Sequence, residues 1–172
     1  MNEIIKKNGI NFGIIIGLIA IIKELLNYGL GSTFYKSPVA GITFGLIFWI
    51  VRIFQANDTK KKMGNIISLK ECFTTLLIST SLGIFISLVF NFVFYNFIVH
   101  DFKLVFNDFM NESMLQLYKI MGKSTSELKE IALNDNFSII NLIKGGLFSI
   151  VVSSFFNLIV SAIFKSKPKD QY

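Results

Sequence analysis

The sequence predicts an all-α fold: a four-helix transmembrane bundle with an extracytoplasmic helical hairpin loop between spans three and four. Apolar residues make up 52% of the 172 residues and charged residues only 16%, and the mean hydropathy of +0.59 is far from that of a soluble domain. The apolar residues lie in four blocks, each long enough to cross a hydrocarbon core of about 30 Å, which takes roughly 20 helical residues. We therefore expect a single integral membrane domain over residues 1–172.

The first span is expected over residues 9–30. Lys6 and Lys7, which precede an apolar run, also resemble the start of a signal peptide. The run continues past Lys23 and Glu24, however, and this length favours a span that is retained over a leader that is cleaved.

Glycines recur at a spacing of four in the first two apolar blocks. They are Gly9, Gly13 and Gly17 in the first block and Gly41 and Gly45 in the second. A stripe of glycine lets the backbone of another helix approach closely. For the first span we expect that neighbour to be a helix of the same bundle, because the chain itself supplies the other spans.

The second span is expected over residues 38–54. Ser37 suits the N-cap of a helix, and Pro38 suits its first turn. Trp49 and Arg52, near the expected end of this span, are typical of side chains that anchor a helix at the membrane interface.

A basic linker over residues 52–70 separates the second and third spans. Its basic residues are Arg52, Lys60, Lys61, Lys62 and Lys70, against a single acid, Asp58. Basic loops between spans are retained on the cytoplasmic side of a membrane, so this linker predicts the orientation of the whole chain. Contact with anionic lipid headgroups is the second role that we expect of these basic residues.

The third and fourth spans are expected over residues 72–99 and 138–164. The aromatic end of the third span, which includes Tyr95, is typical of an interfacial belt. An even number of spans places both chain ends on the same side as the basic linker. The lysines before the first span and after the last agree with this orientation, so we expect a cytoplasmic N-terminus and a cytoplasmic C-terminus.

The connector over residues 100–136 is net acidic and is expected on the outer side. Apolar residues at helical spacing predict one helix over residues 102–121, which Gly122 ends. Ser124 with Glu127 then resembles the capping box of a second, shorter helix. These features predict a helical hairpin that rests on the bilayer surface or over the end of the bundle.

The sequence contains no catalytic or cofactor-binding motif that we recognise, and we expect no enzymatic activity, cofactor or bound metal. His100 with Asp108 and Glu112 is a weak metal-binding pattern, because one histidine near scattered carboxylates recurs by chance. Cys72 is alone, so no intramolecular disulfide can form. The net charge of +6 does not indicate nucleic-acid binding, because the lysines lie at the ends of spans.

Polar residues inside the expected spans are the more informative candidates. Glu24, Asn91 and Lys144 fall at similar expected depths in the outer leaflet, where an ionisable group is costly unless it is paired or hydrated. They predict an intramembrane polar layer, with the alternative that Lys144 extends to the interface and Glu24 pairs locally. Asn157, which follows Ser153 by one helical turn, is expected to form interhelical hydrogen bonds.

The end of the basic linker carries Gly64, Ser68, Lys70 and Glu71 in the pattern Gly-x-x-x-Ser-x-Lys-Glu. Together with four spans and a long outer helical loop that has a central glycine, this pattern resembles DUF4199, a family of bacterial integral membrane proteins of uncharacterised function. The chain departs from the family pattern at Leu69, where phenylalanine is usual, and after the third span, where a proline is often seen. The resemblance implies the same architecture in a bacterial cytoplasmic membrane, and it supplies no activity, cofactor or site residues.

Three hypotheses for function follow from these features. The first is a non-enzymatic membrane protein that acts through helix packing, lipid contacts or a protein partner. The second is a small oligomeric transporter or channel subunit that uses the polar layer at Glu24, Asn91 and Lys144. An intramembrane enzyme is the weakest of the three, because the sequence shows no nucleophile paired with a base.

Overall fold

The computed structural model describes residues 2–122, 124, 126 and 132–166. All regular structure within these residues is helical, which confirms the predicted all-α class, whereas the extracytoplasmic position of the long connector stays a prediction. The helices are α1 (Glu3–Leu30), α2 (Ser32–Tyr35), α3 (Pro38–Lys62), α4 (Leu69–Val93, continued by a π-helical segment, Phe94–Ile98), α5 (His100–Ile120) and α6 (Ile139–Phe164). Among them α1, α3, α4 and α6 are long and apolar enough to cross a membrane.

Local start and stop signals place several of these helices where the sequence predicts them. The Ser37 side chain accepts a hydrogen bond from the Ala40 amide, with Pro38 in the first turn of α3. Helix α5 ends before Gly122, whose φ of +72° lies in the left-handed region that favours glycine. The predicted capping box at Ser124 and Glu127 lies largely outside the described residues, as does the end of the chain beyond residue 166.

Helix α3 is longer than the sequence predicts, and this corrects the position of the basic linker. It does not end near residue 54 but continues to Lys62, because Gln55, Ala56 and Thr59 are buried against other helices. All five basic residues assigned to a loop are helical: Arg52, Lys60, Lys61 and Lys62 lie in α3, and Lys70 lies in the first turn of α4. The connector that remains covers only residues 63–68.

The chain divides into two compact units, Met1–Ser87 with Gly146–Tyr172 and Leu88–Gly145. In the first unit, α1, α3, α4 and α6 alternate in direction. Hydrogen bonds join the start of α1 to the end of α3 through Asn8 and Lys62, and the connector to the residues after α6 through Ile67 and Ser166. We call this end of the first unit, where α1 and α4 begin and α3 and α6 end, the basic end.

The glycine stripe of α1 lies against α4, as the sequence predicts. A Cβ atom built on Gly13 would lie 2.9 Å from Leu82 Cβ, and Cβ atoms on Gly9 and Gly17 would come equally close to the isoleucines one turn either side on α4. In contrast, among the described residues no atom outside the adjoining backbone of α3 lies within 4 Å of a Cβ built on Gly41 or Gly45. The two glycine repeats therefore differ in role, and only that of α1 packs within this unit.

The apolar core of the first unit also lies at the basic end. It consists of Ala56, Ile67, Cys72, Leu76 and Val160, with Trp49, Met63 and Phe164 packed against it. Trp49 meets Phe156 edge-on, with ring centroids 5.4 Å apart. Trp49 does not lie near the end of its helix as expected, because α3 continues for three more turns beyond it, and part of its ring is buried in the bundle. Its place at the membrane interface stays a prediction.

The second unit is built around Tyr95, in the π-helical segment. This side chain is fully buried, and its ring stacks on Phe137 with centroids 3.9 Å apart. Phe102 and Phe106 of α5 stack on the same ring. Tyr95 is therefore a core residue of this unit, because α5 folds back across it. Its expected place in an interfacial belt stays a prediction.

Candidate functional site

Buried polar side chains concentrate at the basic end, and we call this set the polar cluster. Each of the four long helices contributes to it. Its members are Asn8, Gln55, Thr59, Thr75, Ser79, Thr80, Asn157 and Ser161, and all are less than 3% exposed. A buried polar group in a membrane protein must find its hydrogen-bond partners within the protein, so the contacts of this cluster decide what it can do.

The first contact of the cluster joins α1 to α3. Asn8 Nδ2 donates to Thr59 Oγ1 at 2.6 Å, and Thr59 Oγ1 donates in turn to the backbone carbonyl of Gln55 at 2.7 Å. Asn8 Oδ1 accepts from Lys62 Nζ at 3.3 Å. The amide of Asn8 is thus held on both sides by residues of α3.

The second contact joins α3 to α4 through Gln55, which is fully buried. Its Nε2 atom donates to the backbone carbonyl of Thr75 at 3.1 Å, and its Oε1 atom accepts from Ser79 Oγ at 2.7 Å. A single amide therefore bridges two turns of the neighbouring helix. Glutamine suits this role because it carries a donor and an acceptor on one side chain.

The third contact joins α4 to α6. Asn157 Nδ2 donates to Thr80 Oγ1 at 3.1 Å, which confirms the expected interhelical role of Asn157. Its Oδ1 atom is buried and has no hydrogen-bond partner among the described residues. One acceptor of the cluster therefore remains unused.

Arg52 lies inside the candidate span of α3, three positions before Gln55 of the polar cluster. Its Nη2 atom donates to Ser153 Oγ of α6 at 3.2 Å, whereas its Nε atom is buried and has no partner in the described part of the chain. The ion pairs found among the described residues do not include Arg52. Its expected place in a loop was wrong, since it faces α6 from the middle of a helix.

A recess opens on the surface of the basic end beside the polar cluster. Ile4, Lys7, Asn8, Asn11 and Lys62 line it, and its volume is about 350 Å³. We call it the basic recess. Of the lysines assigned by sequence to anionic-lipid contacts, only Lys62 lines it, whereas Lys61 and Lys70 are exposed elsewhere and Lys60 is partly buried.

The family-like pattern that ends the linker forms the start of α4. Ser68 Oγ accepts from the Glu71 amide at 3.2 Å, and the Glu71 carboxylate accepts from the Ser68 amide at 2.9 Å. This reciprocal pair is a capping box, which satisfies amides that the first turn of a helix leaves without partners. Gly64, with a φ of +71°, turns the chain after α3. Gly64, Ser68 and Glu71 therefore have a structural role at the turn between α3 and α4.

The three residues of the predicted polar layer have different surroundings. Glu24 accepts from Lys23 at 3.3 Å and from Asn27 at 2.9 Å, both on its own helix. Asn91 has a buried Oδ1 atom with no partner among the described residues, and the side chain of Lys144 is exposed. Glu24 belongs to the first unit and the other two belong to the second. The layer stays a prediction.

An asparagine-rich contact in the second unit has no counterpart in our sequence predictions. Along α5, Lys103, Asn107 and Asn111 follow one another at a spacing of four, which places them on one face. Asn107 Oδ1 accepts from both the backbone and the side-chain nitrogen of Asn136 at 2.9 Å. Asn111 Nδ2 donates to the Asn134 carbonyl at 2.9 Å. We call these contacts the asparagine clamp.

Lys103 extends the asparagine clamp by one turn. Its Nζ atom donates to Asp135 Oδ2 and to Asn96 Oδ1, both at 2.8 Å. The side chains of Lys103, Asn107 and Asn111 therefore hold the chain that leads into α6. The spacing of Lys103, Asn107 and Asn111 was the signal that could have revealed the asparagine clamp. These residues lie away from the apolar face of α5, however, where polar side chains are usually solvated.

Within the described residues, no group of three or more His, Cys, Asp and Glu side chains is arranged to hold a metal ion. His100 is exposed at the start of α5, and Cys72 is a buried free thiol. The chemistry that the basic end can offer is therefore hydrogen bonding and positive charge.

Comparison with known protein families identifies a match over most of the chain. The model of a family described as a protein of unknown function, DUF4199, matches residues 11–166. Neither the curated proteins nor the solved structures contain a match to this chain. The match covers all four candidate spans except the first turns of α1.

Proposed function

This chain belongs to the DUF4199 family, whose function is unknown, and we propose that it is a non-enzymatic protein of a bacterial cytoplasmic membrane that acts through contacts with lipids or a protein partner. Its four apolar helices and its family membership agree with a membrane protein. In the proposed orientation, the basic end faces the cytoplasm, together with both chain ends.

The observation that carries this proposal is the polar cluster. Its side chains are used mainly on one another and on helix carbonyls, so they join α1, α3, α4 and α6. Interhelical hydrogen bonds of this kind act as the specific contacts between spans, because lipid removes the hydrophobic drive for helices to associate. The cluster supports a role in which the bundle is a scaffold for outward-facing surfaces.

Those outward surfaces are extensive. In the most apolar stretch of each span, only 17 to 22% of residues are buried inside the protein. Leu147, Phe148 and Phe155 of α6, for example, are each more than 60% exposed. Such faces suit lipid chains or a further transmembrane helix as neighbours.

The experiment is affinity purification of the tagged full chain from native membranes, followed by identification of co-purifying proteins and lipids. We expect a protein or a lipid class that is enriched over a control purification of an unrelated four-span protein. A double variant, His100→Ala with Asp108→Ala, addresses enzymatic activity. Loss of a cellular phenotype in this variant, with insertion and thermal stability intact, would contradict the non-enzymatic proposal.

A second candidate function is an oligomeric transporter or channel subunit. The observation that favours it is Arg52, a cation within a span that has no ion pair among the described residues. Ionisable groups inside spans often mark the path of an ion or substrate. Four spans seldom enclose a pathway alone, so this candidate predicts an oligomer. Native mass measurement that finds only monomers would contradict it, as would unchanged transport in an Arg52→Gln variant.

A further inference from the structure

We infer that the basic recess binds the phosphate group of an anionic phospholipid. This inference rests on the proposed membrane location and names one ligand class and its site. The recess combines two ammonium groups, from Lys7 and Lys62, with the side-chain amide of Asn11, and it borders the buried amide of Asn8, which Thr59 and Lys62 hold in place. Ammonium and amide groups are hydrogen-bond donors that match the acceptor oxygens of a phosphodiester.

The position of Lys62 in the recess is fixed by its neighbours. Its Nζ atom donates to Asn8 Oδ1 at 3.3 Å, and Asn8 is itself held by Thr59. Lys62 also pairs with Asp58 at 2.5 Å, one turn earlier on α3, and half of the Lys62 side chain remains exposed. Exposed pairs at this helical spacing contribute little to stability. A phosphate can therefore bind Lys62 beside the carboxylate of Asp58, or in its place, without unfolding the helix.

The surface of α1 next to the recess indicates a lipid as the source of the phosphate. Lys7 and Asn11 line the recess, and the same face of α1 continues with Ile14, Ile15 and Leu18. These three side chains are 42 to 53% exposed. An apolar stripe that runs from a cationic recess along a spanning helix matches a phospholipid, whose headgroup and acyl chains are joined in the same order.

Neighbouring lysines provide matched controls for this site. Lys6 and Lys61 carry the same charge as Lys7 and Lys62 and are each one residue away, but neither lines the recess. General attraction between a basic surface and an anionic bilayer would depend on all four lysines to a similar degree. A defined site depends on Lys7 and Lys62 alone.

The experiment measures binding of phosphatidylglycerol and phosphatidylcholine to the purified full chain by native mass spectrometry, with inorganic phosphate as a third probe. We expect Lys7→Gln and Lys62→Gln each to weaken phosphatidylglycerol binding by roughly tenfold, the effect of one lost charge-assisted hydrogen bond. Lys6→Gln and Lys61→Gln should leave it within about twofold of wild type. Inorganic phosphate at millimolar concentration should not displace the lipid.

Three results would overturn the inference: equal losses in all four variants, equal binding of the two lipids, or displacement of the lipid by inorganic phosphate. The last result would assign the recess to a free phosphate. Lys7 has no side-chain hydrogen bond or ion pair among the described residues, so its variant remains informative even if Lys62→Gln disturbs Asn8. If the recess does not bind the lipid, the proposed role through a protein partner is unaffected. If no protein partner is found, the inference that the recess binds a lipid is likewise unaffected.

Discussion

Asn8 of α1 and Thr59 of α3 are joined by a buried hydrogen bond of 2.6 Å between their side chains, 51 positions apart in the sequence. Both residues lie at the polar ends of apolar helices, where a sequence reading assigns them to the margin of a span or to a loop. Because α3 continues to Lys62, Thr59 instead faces the interior of the bundle. The basic end is thus ordered by polar contacts between helices.

Replacement of Gln55 by Leu should destabilise the bundle. The change removes the bonds to Ser79 and to the Thr75 carbonyl, and interhelical bonds in membranes contribute about 0.6 kcal/mol on average and up to about 1.7 kcal/mol. We expect a lower thermal midpoint in detergent, measured by tryptophan fluorescence at Trp49. The same change at exposed Gln116 is the control and should leave the midpoint unchanged. A midpoint of Gln55→Leu equal to wild type would contradict the role of the polar cluster.

Replacement of Gly13 by Leu should separate α1 from α4. Even a Cβ atom at this position would lie 2.9 Å from Leu82. Overpacking of this kind typically lowers the free energy of unfolding by about 1 to 3 kcal/mol. The control is Gly45→Leu, where the structure leaves open space around the Cβ position. Thermal denaturation of both variants in the same detergent provides the measurement. Similar midpoints for the two would show that the α1 stripe does not pack as described.

Replacement of Asn107 by Ala should release the chain that leads into α6. Asn107 accepts from the Asn136 amide and donates to the Asn134 carbonyl, and each lost bond is worth about 1 kcal/mol. Hydrogen exchange of the Asn136 amide should become faster in this variant. Asp108→Ala, at an exposed neighbouring position, is the control. Unchanged exchange in Asn107→Ala would mean that the asparagine clamp does not hold this segment.

Replacement of Arg52 by Met should raise the thermal stability of the bundle. A charged side chain near the centre of a span costs about 2.5 to 3.5 kcal/mol on insertion scales, and the visible partner of Arg52 is one serine hydroxyl. Met keeps the length of the side chain and removes the charge. Arg52→Lys, which keeps the charge, should show no such gain. A lower midpoint for Arg52→Met would indicate that the cation has a stabilising partner.

The helical class, the glycine stripe of α1 and the role of Asn157 could be predicted from the sequence, because each depends on a local pattern. The end of α3 could not, since residues 55–62 are polar enough for a loop and are helical because other helices satisfy Gln55 and Thr59. The asparagine clamp was missed for a related reason. Asparagines opposite an apolar face look solvated until the segment that they bind is known.

The most direct test of a membrane bundle with a cytoplasmic basic end is cysteine accessibility in intact cells. Lys61→Cys lies at the basic end, Ser32→Cys lies at the far end of α1, and wild type is the control because Cys72 is buried. A reagent that cannot cross membranes should label Ser32→Cys in intact cells and Lys61→Cys only after permeabilisation. Labelling of Lys61→Cys in intact cells, or recovery of the protein in the soluble fraction without detergent, would contradict this arrangement.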